Sequence, residues 1–115
     1  MSQNKHPRLL LINPWIYDFT AYDLWSQPLG LLYMASFLRK QGFCIAWFDC
    51  LSKYSPSQSP PKIRRYGTGH YTRTIIEKPE LLNHIPRSYA RYGVPEQDFV
   101  SFLEEQKDVT AVLVT

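Results

Sequence analysis

The sequence predicts an α/β fold, with three parallel strands in the order 2-1-3, helices on both faces and one long irregular insertion. Three observations carry this reading. The run Arg8-Leu9-Leu10-Leu11-Ile12 is continuously apolar, too short for a buried helix, and closed by Asn13-Pro14. It has the pattern of a strand covered on both faces, as in a parallel sheet. A helical stretch, Pro28–Lys40, and a second strand, Cys44–Asp49, follow it, which makes a βαβ unit, almost always right-handed. A third apolar, β-branched run, Val109–Thr115, comes after a second helical pattern. In such sheets ligands sit outside the carboxyl ends of the strands. Residues 13–27 therefore occupy the position where a ligand is expected.

Taken in order, residues 1–7 read as a frayed lead-in, and the first strand ends where Pro14 removes a ladder donor. Trp15, Tyr17, Phe19, Tyr22 and Trp25, with Asp18 and Asp23, fill the next stretch, which reads as a surface loop. Five aromatics are too many for a solvated connection, so they are expected to pack on a ligand or on another domain. A self-packed loop is the plainer alternative. Pro28 suits a first helical turn, Arg39 and Lys40 suit the last, and Gly42 is a natural stop. Between them the helix is apolar nearly all round, as expected of a helix covered on two sides.

Asp49 ends the second strand, where an acidic residue either bonds a ribose hydroxyl or caps the turn. Residues 50–95 hold 6 of the 9 prolines and 5 of the 8 tyrosines, so they read as an irregular insertion that wraps a partner domain. Within it Ser55–Pro61 reads as extended or mobile, and Glu77–Leu82 as one helical turn. Pro95 opens a helix over Glu96–Gln106, with Phe99, Phe102 and Leu103 at core spacing. The third strand then stops where the next ligand-contacting loop would start, so the chain reads as the N-terminal piece of a longer protein.

Composition narrows the function classes. A hydrophobic fraction of 44% with 20% charge is ordinary for a globular protein. No apolar run approaches the roughly 20 residues of a transmembrane helix, and residues 1–7 lack the apolar region of a secretory signal. With only Cys44 and Cys50, a disulfide framework is not expected, and the chain reads as cytoplasmic. Cys44 reads as a buried small hydrophobe and Cys50 as an end-of-strand residue. The net charge of +3 is uneven: residues 52–95 carry +6 and the remainder −3. That basic, Tyr-rich segment raises an RNA-contacting arm as a third function class, but a pI of 8.9 falls below the usual footprint, and nucleic acid is not the expected partner. Gly67-x-Gly69 with His70, Arg64, Arg65 and Arg73 could cradle an anion, although two glycines in a turn explain it adequately. His6, His70 and His84 lie in expected loops without metal-ligand spacing.

Leu11-Ile12-Asn13-Pro14-Trp15-Ile16-Tyr17-Asp18-Phe19-Thr20-Ala21-Tyr22-Asp23-Leu24-Trp25, followed by Pro28-Leu29-Gly30-Leu31-Leu32-Tyr33, resembles the start of cobalamin-binding-domain radical S-adenosylmethionine proteins. So do Asp49-Cys50-Leu51, Gly67-Thr68-Gly69-His70-Tyr71, Glu77-Lys78-Pro79 and Ile85-Pro86-Arg87-Ser88-Tyr89-Ala90-Arg91-Tyr92-Gly93-Val94-Pro95. The resemblance covers nearly the whole chain. It implies a doubly wound, Rossmann-like, cobalamin-binding-like domain preceding a radical barrel. That barrel would hold a 4Fe–4S cluster on a C-x-x-x-C-x-x-C motif and cleave S-adenosylmethionine. Here Cys44 and Cys50 have no third cysteine, so the cluster motif is absent and this chain alone has no catalytic residues for radical chemistry.

By the same resemblance, cobalamin would lie against Asn13, Pro14, Tyr17, Asp18, Tyr22, Asp23, Gly30 and Thr115. The loop lacks the D-x-H-x-x-G histidine that ligates cobalt in many such domains. Two readings follow. In one this is the cofactor-side domain of a radical enzyme, with cobalamin unligated below; in the other it is a cofactor-free module that docks on the downstream barrel, its partner either way.

Overall fold

The computed structural model describes residues 6–23, 27–54, 56–57 and 68–115. It is a mixed α/β structure with a three-stranded parallel sheet at its centre. Strand β1 (Arg8–Asn13) lies between β4 (Cys44–Asp49) and β8 (Val109–Val114). The shared register sets Leu11 opposite both Trp47 and Leu113. A register shift between Arg8 and Leu9 leaves Thr110 as an extra residue at the entry to β8.

The two helices lie on opposite faces of this sheet. Because β1 side chains alternate, Leu9 and Leu11 pack with Leu31, Ala35 and Leu38 of α1 (Leu29–Lys40). Leu10 and Ile12 point the other way, into a core shared with Phe99 and Phe102 of α2 (Glu96–Glu105). Proline occupies the N-cap of each helix, at Pro28 and Pro95, and α1 ends in Arg39 and Lys40. Gly42 follows with φ +95°, a left-handed turn that leads directly into β4. Only Leu31 of α1 is buried; Leu29, Tyr33 and Phe37 are exposed on its outer face, as are Val112 and Val114 on β8.

The irregular insertion expected over residues 50–95 is corrected in part: among its described residues, three short strands interrupt the loops. β7 (Tyr89–Tyr92) lies between β2 (Ile16–Asp18) and β6 (Arg73–Ile76) in an antiparallel sheet, and β3 (Tyr22–Asp23) pairs with β5 (Gly69–His70). The expected loop over residues 13–27 thus supplies two strands, β2 and β3. His70 stands in a strand rather than a loop. The turn expected over Glu77–Leu82 narrows to a 3-10 turn at Glu80–Leu82. The reason is range: Tyr17 faces Arg91 and Tyr22 faces His70, and pairings that distant leave no local period in the sequence. Residues 1–5, Trp25, most of the Ser55–Pro61 stretch, Arg64, Arg65 and Gly67 fall outside the described residues. Among the described residues no helix is long and apolar enough to cross a membrane.

Candidate functional site

The carboxyl edge of the parallel sheet is closed by the chain itself. Asp49, at the end of β4, accepts a 2.8 Å hydrogen bond from Asn13 Nδ2 at the end of β1, and its same oxygen accepts the Leu51 amide at 2.9 Å. That is the turn-capping alternative for Asp49. The Cys50 amide donates to the Asn13 carbonyl at 2.8 Å, and the Thr115 amide to the Ile12 carbonyl at 3.3 Å. The ends of all three strands are therefore tied within one turn of each other.

Residues 93–94 then fold over this edge. The Val94 amide donates to the Cys50 carbonyl at 2.8 Å, and the Gly93 amide to the Thr72 carbonyl at 2.7 Å. Gly93 has φ +129°, and a Cβ there would collide with the Cys50 carbonyl oxygen and sit 2.7 Å from Trp15 Cδ1. Only glycine allows this approach. Trp15 completes the joint: its Nε1–H donates to the Val94 carbonyl at 2.8 Å, and its ring meets Phe99 edge-on at 5.0 Å. The Arg91 guanidinium lies 5.4 Å from the centre of the same ring.

Cys44 departs from the buried position expected of it, while Cys50 stands at the strand end as expected. Cys44 is exposed on β4, whereas Cys50 is completely buried beneath the joint. Burial, reinforced by the Asp49 carboxylate, pushes the Cys50 thiol up to about 12, so it stays protonated and inert at neutral pH.

The loop aromatics also pack differently from expectation. Trp15 packs on Phe99, Phe19 on Tyr89 at 5.3 Å and Tyr22 on His70 at 5.0 Å, all within this chain. The self-packed alternative holds for these three, while Tyr17 remains exposed on β2.

The eight residues assigned to cobalamin by resemblance fall into two groups. Asn13, Pro14, Gly30 and Thr115 lie at the carboxyl edge or in the first turn of α1 that follows it. Tyr17, Asp18, Tyr22 and Asp23 belong to β2 and β3. Asp18 accepts the Phe19 amide at 2.7 Å, and Asp23, 6% exposed, pairs with Lys53 at 2.8 Å. Within the chain the Asn13 amide nitrogen and one oxygen each of Asp18 and Asp23 are engaged. Gly30 is exposed, and a Cβ there would meet nothing within 4 Å. Among the described residues no group of three or more His, Cys, Asp or Glu side chains converges as metal ligands would.

Sequence reasoning missed Lys53, Tyr71, Gly93 and Val94. Burial and the nearby negative charges of Asp23 and Asp49 raise the Tyr71 hydroxyl above its ordinary range, which keeps it a hydrogen-bond donor. A glycine between Tyr92 and Val94, near the end of the expected insertion, was the one available signal, at Gly93. No family model, curated protein or solved structure matches this chain.

Proposed function

We propose that this chain is the N-terminal, cobalamin-binding-like domain of a radical S-adenosylmethionine protein, not catalytic by itself, and that it works by docking on the radical barrel of the same protein. The resemblance of residues 11–33 and 85–95 supplies the family. The observation that favours docking over cofactor capture is the closed carboxyl edge: Asn13, Asp49, Trp15 and Val94 bond to one another where a doubly wound domain would otherwise open to its ligand. The outer face of α1, with Leu29, Tyr33 and Phe37 exposed, is the apolar surface offered to the barrel. The catalytic cluster and S-adenosylmethionine belong to that barrel, and this chain supplies a rigid α/β support beside them.

A second reading keeps cobalamin at the same edge, and the open space at Gly30 favours it. Two measurements decide. The reading frame after Thr115 is expected to continue into a C-x-x-x-C-x-x-C motif; a stop codon there overturns the family proposal. The protein encoded by that frame, incubated with hydroxocobalamin and desalted, is expected to show no corrin absorbance. Stoichiometric retention overturns the docking-only reading in favour of the cofactor-side one.

A further inference from the structure

A cleft of about 400 Å³ opens on the antiparallel flank, between the β2–β3 turn and the segments around residues 70–73 and 87. Phe19, Thr20, His70, Tyr71, Arg73 and Arg87 line it, over a floor made by Tyr92. The chemistry of this wall is one-sided. The lining holds two guanidiniums, an imidazole, two phenols and a hydroxyl, and no carboxylate, with Asp23 and Asp49 acting on Tyr71 from outside it. Among the described residues neither Arg73 nor Arg87 has a carboxylate within 4 Å; the ion pairs found are Lys53–Asp23 and Arg91–Glu96. Arg87 is instead oriented by a neutral group, its Nη2 donating to Thr20 Oγ1 at 2.8 Å. Its remaining N–H donors stay available, and Arg73 is exposed at the start of β6.

The wall is built from separate parts of the chain. Arg73 faces Tyr92 across β6 and β7, and the buried Tyr92 donates its hydroxyl to the Phe19 carbonyl at 3.2 Å. That bond fastens the β2–β3 turn to the sheet that carries Arg73. Tyr22 and His70 pair edge to face and fix the far side. Guanidiniums without carboxylate partners, held on a strand and by a hydroxyl tether, suit planar bidentate recognition of a phosphate. The volume lies within the range of small-molecule sites, which typically begins at about 300 Å³ and is more than a lone phosphate requires. Phe19 and Tyr71 offer ring surface for the remainder of such a ligand.

We propose that this cleft binds a phosphorylated small molecule of nucleotide size, with Arg73 and Arg87 holding the phosphate and Phe19 and Tyr71 flanking the rest. The site does not rest on the docking or cobalamin readings, since it uses none of Asn13, Gly30 or Thr115.

The test is calorimetric titration of the purified protein with AMP, adenosine and citrate. AMP is expected to bind; adenosine is expected to bind at least roughly tenfold more weakly because it lacks the charge-assisted pairs of the phosphate, and citrate at least roughly tenfold more weakly because it brings no ring to Phe19 and Tyr71. Arg73→Gln and Arg87→Gln are each expected to weaken AMP by about tenfold or more, while Arg39→Gln on α1 leaves it unchanged. On the unaltered protein, AMP is expected to protect Arg73 and Arg87 from phenylglyoxal, read by peptide mass spectrometry, so the result stands even if a variant fails to fold. Absence of AMP binding, equal binding of adenosine or citrate, equal loss in Arg39→Gln, or no protection of the two arginines would each overturn the proposal.

Discussion

The parallel layer and the antiparallel flank are held by different means. In β4-β1-β8 the central strand is buried from Leu9 to Ile12, and each of its faces carries a helix. In β2-β7-β6 only Ala90 and Tyr92 are buried, while Tyr17, Arg73 and Ile75 stand in solvent. Among the described residues the flank is fastened chiefly where Gly93 and Val94 reach Thr72 and Cys50 and Trp15 reaches Val94, with the ion pairs Lys53–Asp23 and Arg91–Glu96 beside that joint. Stability therefore resides in the layer, and the exposed polar chemistry resides in the flank. Binding surfaces are commonly drawn from the less stable parts of a fold in this way.

The joint is the most direct place to test that division. Gly93→Ala puts a Cβ onto the Cys50 carbonyl at a backbone angle alanine rarely adopts. A loss of about 4 kcal/mol or more is expected, read as a large fall in the urea midpoint. If flank and layer were independent, hydrogen exchange would still find the amides of Leu9–Ile12 protected in this variant, and the comparison would fail. Inside the layer, Leu11→Ala empties a fully buried position and is expected to cost about 3 kcal/mol by the same measurement. Trp15→Phe keeps the ring contact with Phe99 and removes the donor to Val94. A smaller loss of about 1–2 kcal/mol is expected, with exchange rising at the flank amides before those of β1.

The same division decides what could be read from the sequence. The layer was legible because its elements announce themselves locally: an unbroken apolar run in β1, prolines at both helix starts, Arg39-Lys40 before Gly42, and β-branched residues in β8. The flank was not, because Ile16–Asp18 and Tyr89–Tyr92 are short and pair across more than seventy residues. Of the aromatics that look surplus in a loop, Phe19 packs on Tyr89 and Tyr22 on His70, while Trp15 packs on Phe99 of α2. Of the candidate residues, Asn13 and Thr115 follow from strand ends alone. Asp23 looked available because its partner Lys53, thirty residues on, cannot be deduced from spacing, whereas the bond of Asp18 to the Phe19 amide is local. The anion-binding guess at Gly67-x-Gly69 pointed toward His70 and Arg73 but had no means of adding Thr20 and Arg87, which tertiary pairing brings to the same wall.

The effect with no consequence at neutral pH is that of Cys50, and it sharpens the comparison by asking how dry the joint is. The thiol moves from an ordinary 9.0 to about 12 in the folded protein, first through burial and then through Asp49. A raised folded value means that the unfolded chain ionises first as pH rises. The stability this thiol contributes is therefore complete below pH 9.0, and it is lost progressively between that point and about 12. Urea midpoints measured across this window are expected to fall more steeply for the natural protein than for Cys50→Ala, because lysines and tyrosines titrate alike in both. The exposed Cys44 is expected to react with a thiol reagent at neutral pH while Cys50 does not. Equal slopes in the two proteins, or two equally fast thiols, would mean that water reaches Cys50 and that the flank opens from the layer far more readily than its hydrogen bonds imply.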